Sequence, residues 1–181
     1  MDSRYSAWAA RWRVPLGFTL GFAYLVFSQP TPRLLAAGSS AGLLGLLIRA
    51  WAAGHLDKNQ TLTIEGPYRY TRNPLYLGSL VMGIGFCIAG GSLFMLLAFA
   101  GLYLLVYWPV IRREESFLRQ KFGALYNDYA AGVPLLLPRP IARGASGARF
   151  HATRYVKNHE HEAALGFGVA IILLVLKLWL R

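Results

Sequence analysis

Five apolar runs, separated by polar or glycine-containing segments, constrain this chain more than any other feature of its sequence. A helix needs about 20 residues to cross the roughly 30 Å hydrocarbon core of a bilayer. The runs approach or reach that length, and they predict membrane-spanning helices at about residues 14–28, 34–53, 74–89, 93–111 and 163–180. The predicted fold class is an all-α, polytopic membrane helix bundle, with residues 1–181 forming one integral membrane domain.

Composition supports the same conclusion and excludes several classes of protein. Hydrophobic residues make up 55% of the chain and charged residues only 15%, whereas a soluble domain carries about 25% charged residues. Five spans would use about 100 of the residues, at about 20 residues each. No room remains for a separate nucleotide-binding α/β domain, so chemistry is expected between the helices or at the membrane surface.

The basic residues predict the orientation of the chain. The formal net charge is +11, which we attribute to the positive-inside rule rather than to a nucleic-acid partner. With a cytoplasmic amino terminus, fifteen of the nineteen Lys and Arg residues lie on the cytoplasmic side and three on the other, with Arg49 inside a span. We expect the carboxyl terminus on the opposite side and Arg49 snorkelling to the surface.

Local signals predict how the spans are joined. Residues 60–65 alternate polar and apolar side chains, which favours an extended segment, and Gly66 and Pro67 favour a turn. Asn73 is a suitable N-cap and Pro74 suits the first helical position. Glycine pairs at Gly17 and Gly21 and at Gly38 and Gly42 have the spacing that allows close helix packing. The segment GIGFCIAGG from residue 83 is likewise interpreted as packing, because it fails the dinucleotide-binding pattern.

The second half of the chain predicts three further features. Gly90, Gly91 and Ser92 form a turn that makes the third and fourth spans a helical hairpin. Residues 112–130 show helical amphipathic spacing, with a potential break at Gly123. Residues 138–157 form a basic Pro/Gly/Arg loop with little pattern, expected to be mobile or to lie on anionic headgroups.

Two short motifs are candidates for chemistry. The first, between residues 66 and 76, reads GPYRYTRNPLY and combines three tyrosines, two arginines and a helix start. It is either an aromatic belt with cytoplasmic arginines or a site where helix N–H groups and tyrosine faces hold a polar, cationic ligand. The second, at residues 112–115, reads RREE, and it is either a surface ion-pair network or a source of a carboxylate, at Glu114, for a cationic group.

A third motif, HEHE at residues 159–162, suggests metal binding but is given a different interpretation. Two histidines two positions apart on a helix diverge by about 200°, which keeps them from sharing an ion easily. The motif also lacks the HExxH order of helical zinc sites. It therefore predicts a solvated helix start and no metal site.

Taken in order, the motifs resemble a known family. GPYRYTRNPLYLG, a helical hairpin and then EESFLRQKFGALYNDYAAGVP are similar to the isoprenylcysteine carboxyl methyltransferase and phospholipid methyltransferase group, over roughly residues 60–138. The resemblance implies that S-adenosylmethionine binds in a cytoplasm-facing pocket. The implied cofactor-binding residues are Gln60, Thr61, Leu62, Thr63, Tyr68, Arg72, Asn73, Pro74, Leu75, Tyr76 and Glu114.

The resemblance also implies the acceptor side of the site and two departures from the family pattern. The implied acceptor is a lipid-like small molecule that enters between helices, among the membrane lipids. Arg112, Arg113 or Glu115 is expected to orient its polar head, and Arg112 and Glu115 are taken as the catalytic candidates. Asn73 and Gln60 stand where better-known members have histidines, so neither position offers an imidazole for proton transfer.

Three hypotheses follow for function. The leading one is S-adenosylmethionine-dependent methyl transfer to an amphiphilic acceptor, either a prenylcysteine carboxylate, a phospholipid amine or another small amphiphile. The second is a reductase similar to NADPH-dependent sterol reductases. The 2′-phosphate of NADPH would need a cluster of arginines, and Arg69 and Arg72 are few for that role. The third is a non-catalytic membrane scaffold or lipid-binding protein. The sequence leaves the oligomeric state open.

Overall fold

In a computed structural model of the chain, the structure describes residues 3–57, 61–139, 147 and 149–180. These residues form helices and connecting segments, with no strand among them. The helices are α1 Ser3–Phe27, α2 Pro32–His55, α3 Pro74–Gly90, α4 Leu93–Leu102, α5 Trp108–Phe122, α6 Ala124–Gly132, α7 Ala152–Lys157 and α8 Glu160–Trp179. A 3-10 turn at Gly66–Arg69 precedes α3, and a π-helical turn at Tyr103–Tyr107 joins α4 to α5.

Three helical stretches are long and apolar enough to cross a membrane: α2, the continuous 30-residue helix Leu93–Phe122, and α8. Two shorter apolar helices, Val14–Phe27 and Pro74–Gly90, accompany them. The prediction of an all-helical integral membrane protein is therefore confirmed. Length and composition of the described helices support three spans directly.

Helices α2 and α3 pack with their backbones in direct contact. A Cβ atom on Gly85 would lie 2.7 Å from the carbonyl oxygen of Gly38, and one on Gly78 would lie 2.7 Å from that of Gly45. No side chain fits into such a gap, so these positions require glycine. The expected packing role is confirmed at Gly38, and the same contact gives GIGFCIAGG its packing role through Gly85.

The glycines of the two predicted pairs do not all behave alike. A Cβ atom on Gly42 would lie 2.7 Å from the Phe167 ring of α8, so this glycine also makes a close contact. Gly17 and Gly21 have no atom of the described chain within 4 Å of the position a Cβ would take. The packing prediction is wrong for these two, because α1 is not in close contact with another helix on that face.

The predicted hairpin between α3 and α4 is confirmed, while the amphipathic helix has different boundaries. Gly91 turns the chain with φ +59°, and the Ser92 hydroxyl accepts a 3.4 Å hydrogen bond from the Met95 N–H. The prediction of a separate helix over residues 112–130 is wrong, because its first part continues the fourth apolar helix to Phe122. The chain then breaks at Gly123, φ +54°, as its glycine suggested.

After the break, α6 folds back towards the turn before α3. Tyr126 is 2% exposed, and the Tyr129 hydroxyl donates a 2.7 Å hydrogen bond to the Tyr68 carbonyl. The basic segment is also more ordered than expected: residues 152–157 form α7, so the prediction of a patternless loop is wrong there. Of the rest of the segment, residues 140–146 and 148 lie outside the described residues.

Both ends of α8 are tied to other helices. At its start, the Asn158 amide donates hydrogen bonds of 3.0 and 3.1 Å to the carbonyls of Ala53 and Leu56 at the end of α2. At its far end, the Lys177 ammonium donates 2.5 Å and 3.0 Å hydrogen bonds to the carbonyls of Leu25 and Val26. The carboxyl-terminal helix is therefore held to the bundle at both ends.

Candidate active site

The tyrosine-rich start of α3 and the acidic part of α5 meet in the folded chain. The Tyr76 hydroxyl donates a 2.8 Å hydrogen bond to Glu114 Oε1, across 38 residues of sequence. The Tyr103 hydroxyl donates a 3.1 Å hydrogen bond to the Tyr76 carbonyl and fixes the first turn of α3 against the π-helical turn. The two motifs that the sequence singled out thus form one wall.

This wall borders a cavity of about 1580 Å³. Its polar end contains every described residue that the family resemblance assigned to cofactor binding. These residues are Thr61, Leu62, Thr63, Tyr68, Arg72, Asn73, Pro74, Leu75, Tyr76 and Glu114. Gln60, the remaining member of the assignment, lies outside the described residues.

Glu115 does not face the cavity but holds three arginines. Its carboxylate accepts from Arg72, from Arg112 at 2.8 Å and from Arg119 at 3.2 Å. Glu115 is buried and the Arg72 side chain is 12% exposed, whereas about half of the Arg112 and Arg119 side chains is exposed. Within the described part of the chain, neither Arg112 nor Glu115 lines the cavity. The two catalytic candidates therefore do not face the space in which a ligand would bind.

The Nε of Arg72 is a buried donor without a partner among the described residues. Arg72 itself lines the cavity. A buried donor without a partner is costly, which is why such groups are normally paired with protein, water or a ligand. The orphaned Nε therefore fits a ligand that carries an acceptor such as a carboxylate.

Asn73 occupies the predicted cap position but does not cap α3. Its side chain makes no capping hydrogen bond; instead Nδ2 donates a 2.9 Å hydrogen bond to the Leu135 carbonyl. The neighbouring Thr71 hydroxyl donates to the Leu136 carbonyl at 2.8 Å. The chain after α6 therefore accepts hydrogen bonds from the side chains that precede α3. The N–H of Leu75, at the second helical position, is one of the first-turn donors that an α-helix does not pair internally.

Two tyrosines near the charged end of the cavity, Tyr68 and Tyr129, have raised pKa values. Burial raises the pKa of Tyr68 well above its ordinary value, and nearby Tyr129, Glu114 and Glu160 raise it further. Burial likewise raises the pKa of Tyr129. Both phenols stay protonated at neutral pH, so the negative charge in this part of the cavity comes from carboxylates.

Sequence reasoning missed one ion pair in the cavity, between Arg49 of α2 and Glu160 of α8. The guanidinium donates from Nε at 2.9 Å and from an Nη at 2.7 Å to the two carboxylate oxygens, and its other Nη donates to Ser79 Oγ at 2.5 Å. The predicted snorkelling of Arg49 is wrong, because a bidentate partner lies within the bundle. The signal that could have revealed this pair was the charge of Arg49 inside an apolar span, since charged residues within membrane helices are usually paired.

The remainder of the cavity is apolar and runs between α1, α3, α4 and α8. Its walls carry aromatic rings from all four helices: Phe18, Phe22, Phe86, Phe99 and Phe167. Because the lining of this branch is apolar and the other end is charged, the whole cavity has the polarity of an amphiphilic molecule.

The histidines of HEHE also lie differently from the prediction. His159 precedes α8 with φ +59° instead of lying on the helix, and its ring centroid is 5.9 Å from that of His161. The expected divergence of the two rings is therefore wrong. The expectation that the motif binds no metal stays a prediction.

Comparison with known proteins places the chain in a family. The model of the phospholipid methyltransferase family matches residues 34–125, which is about half of the chain. The cobalt-zinc-cadmium resistance protein CzcN of Cupriavidus metallidurans is 33% identical over 81% of this chain and 71% of its own length. The protein-S-isoprenylcysteine O-methyltransferase of Schizosaccharomyces pombe is 25% identical, over 67% of this chain and 53% of its own.

A third relative is named for a different methyl acceptor. Methanethiol S-methyltransferase 2 of Bradyrhizobium diazoefficiens is 41% identical over 42% of this chain and 28% of its own length. No solved structure matches the chain. The matched residues include α2, the turn before α3, the hairpin and the Glu114 wall of the cavity, and the chain therefore belongs to the phospholipid methyltransferase family of membrane methyltransferases.

Proposed function

We propose that this protein transfers a methyl group from S-adenosylmethionine to an amphiphilic, lipid-like acceptor in the cavity between α1, α3, α5 and α8. The observation that carries the proposal is the joining of a charged end, built on Tyr76 and Glu114, to an apolar branch in one cavity. A water-soluble donor and a lipid-like acceptor can then meet inside a short chain.

The polar end offers a partner for each charged group of the donor. The Glu114 carboxylate would pair with its ammonium group, and the unpartnered Nε of Arg72 and the N–H of Leu75 would hold its carboxylate. The faces of Tyr76 and Tyr107, whose centroids are 6.2 Å apart, would lie near the sulfonium. Aromatic faces attract such cations. When bound, S-adenosylmethionine supplies an electrophilic methyl group.

The contribution of the protein is mainly positioning and exclusion of water. In-line displacement gains rate when the two reactants are held in contact and desolvated. The buried carboxylate of Glu115 fixes Arg72, and Tyr103 fixes Tyr76. We therefore assign Glu115 and Arg112 a positioning role, in place of the direct catalytic role expected from sequence.

The acceptor would enter along the apolar branch. Its chain would lie among the phenylalanines of α1, α3, α4 and α8, and its polar head would point towards Arg49 and Glu160. Since Arg49 is held by a carboxylate in the protein, a head group with its own carboxylate or phosphate is able to replace Glu160 as its partner.

The proposal includes a membrane topology. Five spans, with α1 and α3 crossing in addition to the three long helices, put Tyr76, Glu114 and the start of α8 on one side, and the excess of Lys and Arg makes that side cytoplasmic. The short Val14–Phe27 and Pro74–Gly90 helices then cross with local thinning of the bilayer. Cysteine accessibility on the two faces of sealed vesicles tests this arrangement.

A transfer assay tests the activity. Purified protein in lipid nanodiscs is incubated with donor carrying a labelled methyl group, and label is counted in the lipid-soluble fraction. We expect time-dependent labelling that Glu114→Ala abolishes. Binding of NADPH, with no labelling and no binding of S-adenosylhomocysteine, would favour the reductase hypothesis, and binding of none of them would favour a scaffold.

A second candidate function, at the level of physiology, is a part in tolerance of divalent transition metals. The relative named for cobalt, zinc and cadmium resistance matches more of its own length, 71%, than the yeast methyltransferase does, 53%. Deletion of the gene would then sensitise its host to these ions. Failure of a Glu114→Ala copy to restore growth would tie the tolerance to methyl transfer.

A further inference from the structure

Three side chains at the start of α8 form a cluster that methyl transfer does not use. One ligand atom from each of His159, His161 and Glu162 lies within 4.8 Å of the others. His159 Nδ1 is 3.0 Å from Glu162 Oε1, and the two imidazole centroids are 5.9 Å apart. All three residues are exposed to solvent.

We propose that His159, His161 and Glu162 form a binding site for one divalent transition-metal ion of the zinc, cobalt and nickel class. The inference does not depend on the proposed methyl transfer, because none of the three side chains belongs to the Tyr76–Glu114 wall, although Glu162 also lines the cavity. It also reverses the interpretation of HEHE as a solvated helix start, which assumed that both histidines lie on the helix.

The backbone conformation of His159 brings the cluster together. Among the described residues it is the one non-glycine residue with a positive φ, +59°. This left-handed conformation is uncommon outside glycine, although histidine adopts it more often than most residues. It places the His159 ring back over the first turn of α8, beside Glu162 at the third helical position.

The residues between and before the ligands are anchored, so the cluster stands on a fixed support. Asn158 donates two hydrogen bonds to carbonyls at the end of α2. Glu160, between the two histidines, is buried and bound by Arg49 through both carboxylate oxygens. Because Glu160 faces inward, the side chains on either side of it are directed outward together.

The donor set selects the metal class. Imidazole nitrogen combined with one carboxylate suits zinc, cobalt and nickel, whereas calcium and magnesium prefer all-oxygen sites. Metal–ligand bonds of about 2.0–2.1 Å in a tetrahedral site require ligand atoms about 3.3 Å apart. The His159–Glu162 pair, at 3.0 Å, is close to that spacing, and its side chains are 70% and 67% exposed, so small rotations cost little.

The site lies at a helix amino terminus, and a nearby carboxylate offsets the effect of the helix dipole on a bound cation. The helix dipole there disfavours a cation. Glu162, in the first turn and itself a proposed ligand, supplies negative charge at the same point, whereas the charge of Glu160 is already paired with Arg49. A bound ion would also link the cap residue to the first turn and stabilise the start of α8.

Direct metal titration of the tag-free, full-length protein in detergent tests the proposal. We expect one Zn²⁺ per chain by calorimetry, and Co²⁺ to give the visible d–d bands of a low-symmetry, four-coordinate site. His159→Ala, His161→Ala and Glu162→Ala should each weaken binding at least about tenfold, since even outer-shell partners of a metal cost 10–100-fold. His151→Ala, at an exposed histidine outside the cluster, is the matched control and should bind like the wild type.

His161→Cys makes the test specific to direct ligation. A thiolate at this position should add a sulfur-to-cobalt charge-transfer band while the site still binds, and the native Cys87 is buried. Absence of stoichiometric Zn²⁺ binding, equal weakening by His151→Ala, or a Co²⁺ spectrum unchanged in His161→Cys would each overturn the proposal.

Discussion

Arg72 and Glu115, from segments 43 residues apart, form a buried ion pair that leaves the Arg72 Nε free of any described partner. The carboxylate is 5% exposed and also accepts from Arg112 and Arg119. The pair therefore fixes the position of a guanidinium that lines the cavity.

Removing the charge of Glu115 should destabilise the fold strongly. Breaking one side of a buried ion pair costs about 3–5 kcal/mol, because the remaining charge is left without a partner. We expect Glu115→Ala to lower the free energy of unfolding in detergent by about that amount. Arg112→Ala removes an exposed partner of the same carboxylate and should cost at most about 1 kcal/mol. Similar losses for both variants would contradict this account.

The contact between α2 and α3 predicts a large effect from a single methyl group. Gly85→Ala places a Cβ 2.7 Å from the Gly38 carbonyl oxygen, so the helices must separate. Overpacking of this kind costs about 1–3 kcal/mol, measured as a fall in the unfolding midpoint. Gly101→Ala, with no atom within 4 Å of the new Cβ, should be neutral or stabilising. A neutral Gly85→Ala would show that the helices are further apart.

The Arg49–Glu160 pair should show strong coupling in a double-mutant cycle. Arg49→Leu leaves the buried Glu160 carboxylate unpaired and should destabilise more than the double variant Arg49→Leu/Glu160→Leu, in which no charge remains. The readout is the free energy of unfolding of the four proteins. Additive effects of the two substitutions would mean that the residues do not interact.

The buried phenols predict how stability depends on alkaline pH. Since burial raises the folded-state pKa of Tyr68 and Tyr129 above the unfolded value of about 10, the folded protein binds their protons more tightly. Their contribution is fully present below pH 10 and is lost as the pH rises above it. Unfolding measured from pH 8 to 11 should show this decline, and Tyr68→Phe should reduce its slope. An unchanged slope would argue against a buried, neutral Tyr68.

Much of the helical fold follows from local sequence signals. Apolar run length placed the long helices, Gly91 and Ser92 placed the hairpin, and Gly123 marked the break after α5. The meeting of Tyr76 with Glu114 was expected from the family resemblance, since hydropathy alone says nothing about which helix ends share a cavity.

The features that escaped prediction depend on contacts between distant segments. Asn73 has the chemistry of a cap, but the Leu135 carbonyl takes its amide, and no local pattern announces that partner. Arg49 was expected to reach the surface because Glu160, 111 residues away, was not known to face it. His159 was assigned to a helix because a left-handed cap residue leaves no signal in side-chain periodicity.

The measurement that tests the central claim most directly is the titration of the purified protein with S-adenosylhomocysteine. We expect saturable binding, weakened at least about tenfold in Glu114→Ala, since a hydrogen bond to a charged group contributes about 1.5–3 kcal/mol. Tyr76→Phe, which removes the 2.8 Å hydrogen bond to Glu114, should weaken it several-fold. Asp128→Ala, at an exposed acid away from the cavity, should bind like the wild type. Absence of saturable binding, or an affinity that Glu114→Ala leaves unchanged, would contradict the account.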